Sequence, residues 1–196
     1  MKKALAILGL LSLTIIKASF ADHIKPKDSE LIPSSNLEHV NLVGADLSLA
    51  RLKEANLREA NLSDSYLFRA DLRNAILVSA SLENATLFGS NLKGANLEGA
   101  NLSNTKLKDV NLKAVNLSKA NLSNSNLFRA DLSNAKLENT NLNGAILRGV
   151  KLDNADLSSV DLSRATLIGV SGKNLRSCPD FLPSMWVCEQ KSLIKL

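Results

Sequence analysis

The stretch NLKGANLEGANLSN, residues 91–104, places leucine at positions 92, 97 and 102, with alanine two positions before the second and third leucines. The same period of five runs without a gap from Leu37 to Leu167, which makes 27 consecutive repeats. On an α-helix five residues turn about 500°, so successive leucines would spread around the whole circumference. On a continuous strand an odd period would send alternate leucines to opposite faces. The period therefore predicts a backbone that turns a corner once in every repeat.

The five positions of a repeat divide into an inward pair and three outward residues. The leucine and the small residue before it lie two positions apart, so both point inward from an extended segment. Gly or Asn, which tolerate corners, is the second residue after leucine in 14 of the 27 repeats. Because stacked coils need their backbone N–H groups, proline should be excluded from them. All four prolines lie outside the array, at positions 26, 33, 179 and 183.

Repeats such as ANLRE (55–59), ADLRN (70–74) and ADLSS (155–159) resemble the A(D/N)LXX motif of the pentapeptide-repeat family. The resemblance implies an all-β fold, a right-handed quadrilateral parallel β-helix with four repeats in each coil. The array would then form about seven coils over residues 35–170, followed by a small C-terminal cap at 171–196. Motif residues build the walls of such a solenoid, so they carry little information about its function.

The N-terminus has the composition of a signal peptide. The basic start MKK precedes an apolar run at residues 4–16, and small residues at 19 and 21 suit cleavage after Ala21. The run is short for a membrane span, and an uncleaved N-terminal anchor is the alternative. Cleavage of residues 1–21 would leave a lead-in at 22–34, no stable membrane anchor, and a formal charge of +2 instead of +5. We therefore expect an exported protein, periplasmic or secreted, that does not bind nucleic acid.

Cys178 and Cys188 are the chain's two cysteines, and an exported protein meets an oxidising compartment. We predict a disulfide between them; a redox or metal site is the alternative. The spacing lacks a CxxC pattern, and His23 and His39 lie at the other end of the chain. We expect no metal site and no cofactor. The apolar residues of the cysteine segment should cover the last coil, namely Phe181, Leu182, Met185 and Trp186.

With four repeats in a coil, residues 20 apart stack on the same wall of the solenoid. One column of positions that follow leucine then reads Phe68, Phe88, Lys108, Phe128, Arg148 and Ile168. Stacked outward aromatics can simply support neighbouring strands, whereas contiguous exposed apolar area indicates a surface for self-association or for a protein partner. The predicted interaction surface comprises Tyr66, Phe68, Phe88, Phe128, Ile146 and Ile168.

A second, weaker column is basic and consists of Lys53, Arg73, Lys93 and Lys113. Like charges stacked about 5 Å apart repel one another, so the column favours an anionic partner. Glu54 and Asp71 lie close enough in the repeat to offset part of this charge. A solvated charged face is therefore the alternative interpretation.

The sequence favours binding over catalysis. The array has one histidine, no cysteine, and carboxylates on convex walls, whereas an enzyme needs a concave site that orients its substrate. The leading hypothesis is a non-catalytic exported interaction or scaffold protein that uses one wall of the rod. The alternative is a DNA-mimicking inhibitor of type II topoisomerases (gyrase), as some pentapeptide-repeat proteins are. Such mimics carry strong negative charge, whereas residues 35–170 hold 15 basic and 14 acidic side chains.

Overall fold

Parallel β-bridges join residues 20 positions apart along most of the chain. In the computed structural model, which describes residues 33–196, the series runs from Asn36↔Asn56 to Asp161↔Phe181. Twenty residues are four five-residue repeats, so each coil takes four repeats. Two longer strands follow at the C-terminus, β1 (Trp186–Glu189) and β2 (Ser192–Lys195), and they pair antiparallel. The predicted signal peptide and nearly all of the predicted lead-in lie outside the described residues.

In the repeat of residues 96–100 all five backbone N–H groups have partners. One N–H donates to the coil before it and two donate to the coil after it. The fourth closes the corner, from Ala100 to Leu97 O (3.0 Å). The fifth, at Glu98, donates to Oδ1 of the Asn96 side chain (3.1 Å). This last bond explains why Asn or Asp so often precedes leucine, because either side chain can form such an Asx turn.

The corners lie at the second residue after leucine. From His39 to Ser159 this residue has a positive φ in every repeat, between 51° at Glu59 and 71° at Gly94. Glycine adopts this left-handed region freely, and Asn more readily than most residues. For a residue such as Ala114 the same conformation costs roughly 1–2 kcal/mol. The hydrogen bonds between coils hold such residues in place, so the array does not require Gly or Asn at every corner.

Leucine fills the interior of the coils, as the period predicts. Each leucine of the array from Leu42 to Leu167 is at most 5 % exposed, and most of the small residues before them are equally buried. Leu37, in the first coil, packs against this core while remaining partly exposed. Burial of one leucine contributes roughly 1.5–3 kcal/mol before the chain entropy is subtracted. The repeated burial therefore stabilises the rod along its whole length.

Ser90 occupies a small-residue position of this core, and its hydroxyl is buried without a hydrogen-bond partner. The equivalent hydroxyl of Ser65 donates to Leu62 O (2.6 Å). A buried unsatisfied polar group costs roughly 1–3 kcal/mol, so Ser90→Ala should raise the free energy of unfolding by about 1 kcal/mol. Chemical denaturation measures this change, with Ser65→Ala as the control that should bring no gain. An unchanged or lower stability of Ser90→Ala would contradict the expectation.

The coil continues beyond residue 170, where the period of five ends. Parallel bridges join Asp156 to Ser177 and Asp161 to Phe181. Phe181 therefore stacks on an outward position and is 63 % exposed, and Met185 is 60 % exposed. The expectation that these two side chains cover the last coil is wrong, because the continuing coil turns Phe181 outward.

The β1–β2 hairpin packs on this end of the coil. Leu193 of β2 is buried, and its N–H donates to Gly172 O (2.8 Å). The Leu193 side chain lies so close to Gly172 that a Cβ atom on residue 172 would be 2.8 Å from it. Leu182 and Trp186 pack against the core, as expected. The predicted disulfide between Cys178 and Cys188 is present and ties the end of the coil to β1.

Candidate functional site

The aromatic column forms part of one continuous wall. Parallel bridges stack Tyr66 on Thr86 and continue at every twentieth residue to Thr166, which aligns the side chains beside them. The rings of Phe68 and Phe88 stack with their centroids 5.5 Å apart and their planes within 4° of parallel. We call this surface the Phe wall, defined as residues 66–69, 86–89, 106–109, 126–129, 146–149 and 166–169.

Cations lie over the phenylalanine rings of the Phe wall. Nζ of Lys108 is 5.3 Å from the ring centroid of Phe88 and 5.6 Å from that of Phe128. The Arg148 guanidinium lies 5.9 Å from the Phe128 centroid, and that of Arg69 lies 5.3 Å from the Phe68 centroid. Because neighbours along the column cover the ring faces, the ring edges point to solvent. The sequence shows the alternation of Phe with Lys or Arg at 20-residue spacing, but not this cation–π geometry.

The Phe wall exposes apolar area along its length. Tyr66 and Ile168 are 55 % and 54 % exposed, and Ile146 and Phe68 are 40 % and 37 % exposed. Phe88 and Phe128 are half-buried. Phe68 and Phe88 thus contact each other while the wall leaves apolar area open to solvent, which is compatible with both structural support and docking of a partner.

The basic column is largely neutralised by neighbouring carboxylates. Nζ of Lys53 lies 3.1 Å from Glu54 Oε1, and Nζ of Lys113 lies 3.3 Å from an oxygen of Asp131. Arg73 donates two hydrogen bonds to Asp71 (2.8 and 2.6 Å), and this pairing lowers the pKa of the carboxyl and raises that of the guanidinium. Lys93 is the one member without an ion pair in the described part of the chain. These contacts support the interpretation of a solvated charged face.

Asp156 links the last regular coil to the segment that follows it. Its carboxylate accepts hydrogen bonds from the Ser177 hydroxyl and from the Ser158 N–H (3.1 Å) and hydroxyl (2.9 Å). These bonds, that of Ser177 foremost, hold the pKa of Asp156 below its ordinary value of 3.8. A depressed folded-state pKa stabilises the protein above the unfolded-state pKa, and this stabilisation is lost as pH falls through the folded-state pKa.

We therefore expect the thermal stability of the protein to fall below about pH 4. Asp156→Asn should be less stable near neutral pH and should lose less stability on acidification, because Asn cannot ionise. Thermal unfolding across the acid range measures both effects, with the exposed Asp180→Asn as a control for net charge. Equal slopes of stability against pH for the parent and Asp156→Asn would contradict a stabilising role of this carboxylate.

Within residues 33–196 no group of His, Cys, Asp or Glu side chains is arranged to hold a metal ion. No helix in the same residues is long and apolar enough to cross a membrane.

Family models match most of the repeat array. The model described as "Pentapeptide repeats" matches residues 34–67 and 65–104 with eight copies, and that described as "Pentapeptide repeat region" matches residues 90–162. The chain belongs to the pentapeptide-repeat family. Comparison of this pentapeptide-repeat protein with curated proteins gives no match.

Several solved structures of the family are similar to this pentapeptide-repeat protein. HetL from the cyanobacterium Nostoc sp. strain PCC 7120, involved in heterocyst differentiation regulation, is 31 % identical over 76 % of this chain and 70 % of its own, with a TM-score of 0.53. A thylakoid-lumen protein of Arabidopsis thaliana is 32 % identical over 48 % of this chain and 66 % of its own, with a TM-score of 0.48. QnrB1, a plasmid-mediated fluoroquinolone resistance protein, is 20 % identical over 70 % of this chain and 84 % of its own, with a TM-score of 0.32.

Proposed function

We propose that this protein is a non-catalytic, exported interaction scaffold whose Phe wall binds a protein partner or a second copy of the chain. The observation that carries the proposal is the ladder of stacked rings and cations along one wall, with exposed Tyr66, Ile146 and Ile168 beside it. Scattered exposed apolar side chains are ordinary, whereas a contiguous row on one face marks a binding surface. Aromatic residues and arginine are also the types that dominate binding energy at protein interfaces.

The architecture that presents this wall is part of the proposal. We assign the array, residues 35–170, to a right-handed quadrilateral solenoid of about seven coils, with the C-terminal cap at 171–196. Backbone hydrogen bonds then join the coils that carry the Phe wall to one another, as from Leu67 N–H to Thr86 O (2.7 Å) and from Leu87 N–H to Lys106 O (2.9 Å). A preorganised surface loses little conformational entropy on binding, which favours docking without a pocket.

The N-terminal sequence and the disulfide support export. A basic start, an apolar run and small residues before Asp22 form a cleavable signal pattern. The disulfide between Cys178 and Cys188 is typical of proteins that fold in an oxidising compartment. We propose a periplasmic or secreted location for the mature chain.

Site-specific photo-crosslinking in cells tests the proposed function. A benzophenone side chain at position 88 places the probe on the Phe wall, and the same probe at exposed Asn104 on another wall sets the background. We expect a crosslinked band at position 88 that is absent at position 104. A band at twice the monomer mass would indicate self-association, and any other mass would indicate a partner. The absence of a band specific to position 88 would contradict the proposal.

A further inference from the structure

We infer that the Phe wall binds an acidic protein surface and not the Phe wall of a second copy, an inference that rests on the proposed function. The wall carries five cations and one acid, so it concentrates positive charge on a chain that is otherwise nearly neutral. The acid, Asp109, is paired with Arg129 (3.4 Å). Four cations remain on the wall: Arg69, Lys106, Lys108 and Arg148.

These four cations, unlike most residues of the basic column, have no carboxylate partner in the part of the chain that the structure describes. No carboxylate of residues 33–196 lies within ion-pair distance of any of them. Three of the four basic-column residues, in contrast, have their own carboxylate partners. Within residues 33–196 the Phe wall therefore carries more unneutralised cations than the basic column, although the sequence places four stacked basic residues in that column.

The phenylalanine rings add to this positive surface. An aromatic ring is electrostatically negative on its faces and positive at its edge. The faces of Phe88 and Phe128 already hold Lys108 between them, and Phe68 shares a face with Phe88. The ring edges that remain outward suit a carboxylate, which can contact an edge and a fixed cation together. Covered ring faces leave no platform for stacking a nucleobase or a sugar ring.

The same charges argue against pairing of two Phe walls. A two-fold interface brings identical patches together, so it would place the four unpaired cations of one copy against those of the other. Like charges in apposition oppose association. A lipid phosphate surface would also attract the cations, but the exposed Tyr66 and Ile146 are separated on their column by Thr86, Lys106 and Asn126. The wall therefore offers no broad apolar face to insert among acyl chains. Carboxylates fixed on a folded partner match the fixed cations best.

Fluorescence anisotropy with a labelled glutamate decapeptide, at low ionic strength, tests the charge preference of the purified protein. Lys108→Gln with Arg148→Gln removes two wall cations, and Lys93→Gln with Lys113→Gln removes the same charge from the basic column. We expect the parent protein to bind the glutamate peptide and not a lysine decapeptide, with weaker binding at high salt. The wall variant should bind about tenfold more weakly, and the column variant should match the parent within about twofold.

Several outcomes would overturn the inference. They are no binding by the parent protein, equal losses in both variants, and wall-dependent binding to phosphatidylglycerol vesicles that exceeds binding to the peptide. Circular dichroism verifies that both variants are folded. Crosslinking at position 88 separates the two proposals: a partner band that persists in the wall variant leaves the proposed function standing and overturns the acidic preference. A band at twice the monomer mass in which position 88 is joined to the Phe wall of the second copy overturns the inference alone, whereas no band contradicts the proposed function itself.

Discussion

Replacement of Leu97 by aspartate should unfold the middle coils of the rod. Leu97 is fully buried, and its N–H donates to the coil that follows it (2.7 Å). Loss of a buried leucine side chain costs roughly 2–5 kcal/mol, and a buried carboxylate without a partner costs more. Because whole domains are stable by about 5–15 kcal/mol, the sum approaches the entire stability of the protein. Thermal unfolding followed by circular dichroism should show the cooperative transition lowered by more than about 10 °C or abolished.

Two control variants separate burial from charge. Asn104→Asp adds the same carboxylate at an exposed corner where the backbone φ is 59°, a conformation that aspartate tolerates. Leu97→Met keeps an apolar side chain of similar volume and should cost less than about 1.5 kcal/mol. A Leu97→Asp protein with a transition close to that of Asn104→Asp would refute the inward position of the leucines.

Removal of the disulfide should destabilise the C-terminal end selectively. Cys178 and Cys188 close a short loop, and a bond of this kind contributes roughly 2–3 kcal/mol through the entropy of the unfolded chain. In the double variant Cys178→Ser with Cys188→Ser, the β1–β2 hairpin depends on the burial of Leu193 and on backbone bonds such as Leu193 N–H to Gly172 O. Hydrogen exchange should therefore accelerate over residues 171–196.

The middle coils provide the internal control for this experiment. Leu97 and its neighbours lie several coils from the disulfide, and repeat arrays transmit stability mainly between adjacent coils. Their exchange should remain close to that of the parent protein. Uniform acceleration along the whole chain would mean that the disulfide holds the complete rod together, contrary to the local role assigned to it.

The leucine period predicts which residues fill the interior, because the spacing of the leucines determines which side chains point inward. Once Leu92, Leu97 and Leu102 must all point inward, the corners and the 20-residue stacking follow from chain geometry and the family resemblance. Two features do not follow from that spacing. The Asx bond of Asn96 is a local side-chain preference, whereas the outward turn of Phe181 depends on a coil that continues after the period has ended.

The chemistry of the Phe wall is only partly visible in the sequence. Stacking at 20 residues places Phe88, Lys108 and Phe128 in one column, but it does not say where each side chain lies. The location of Lys108 over both rings depends on rotamers. Glu54 and Asp71 are neighbours of Lys53 and Arg73 in the sequence, but the pairing of Lys113 depends on Asp131 in the next coil. The sequence alone therefore does not show whether the Phe wall or the basic column is the better surface for binding an anionic partner.

Stacking of residues 20 positions apart underlies every wall of the rod, and an engineered disulfide tests it most directly. Adjacent strands lie about 4.8 Å apart, a separation that permits a disulfide. Lys93→Cys with Lys113→Cys pairs residues of one wall, whereas Lys93→Cys with Asn104→Cys pairs different walls across a shorter stretch of chain. We predict that mild oxidation consumes both new thiols in the first protein and leaves them free in the second. Free thiols in the first protein, or an intramolecular disulfide in the second, would contradict the four-repeat coil.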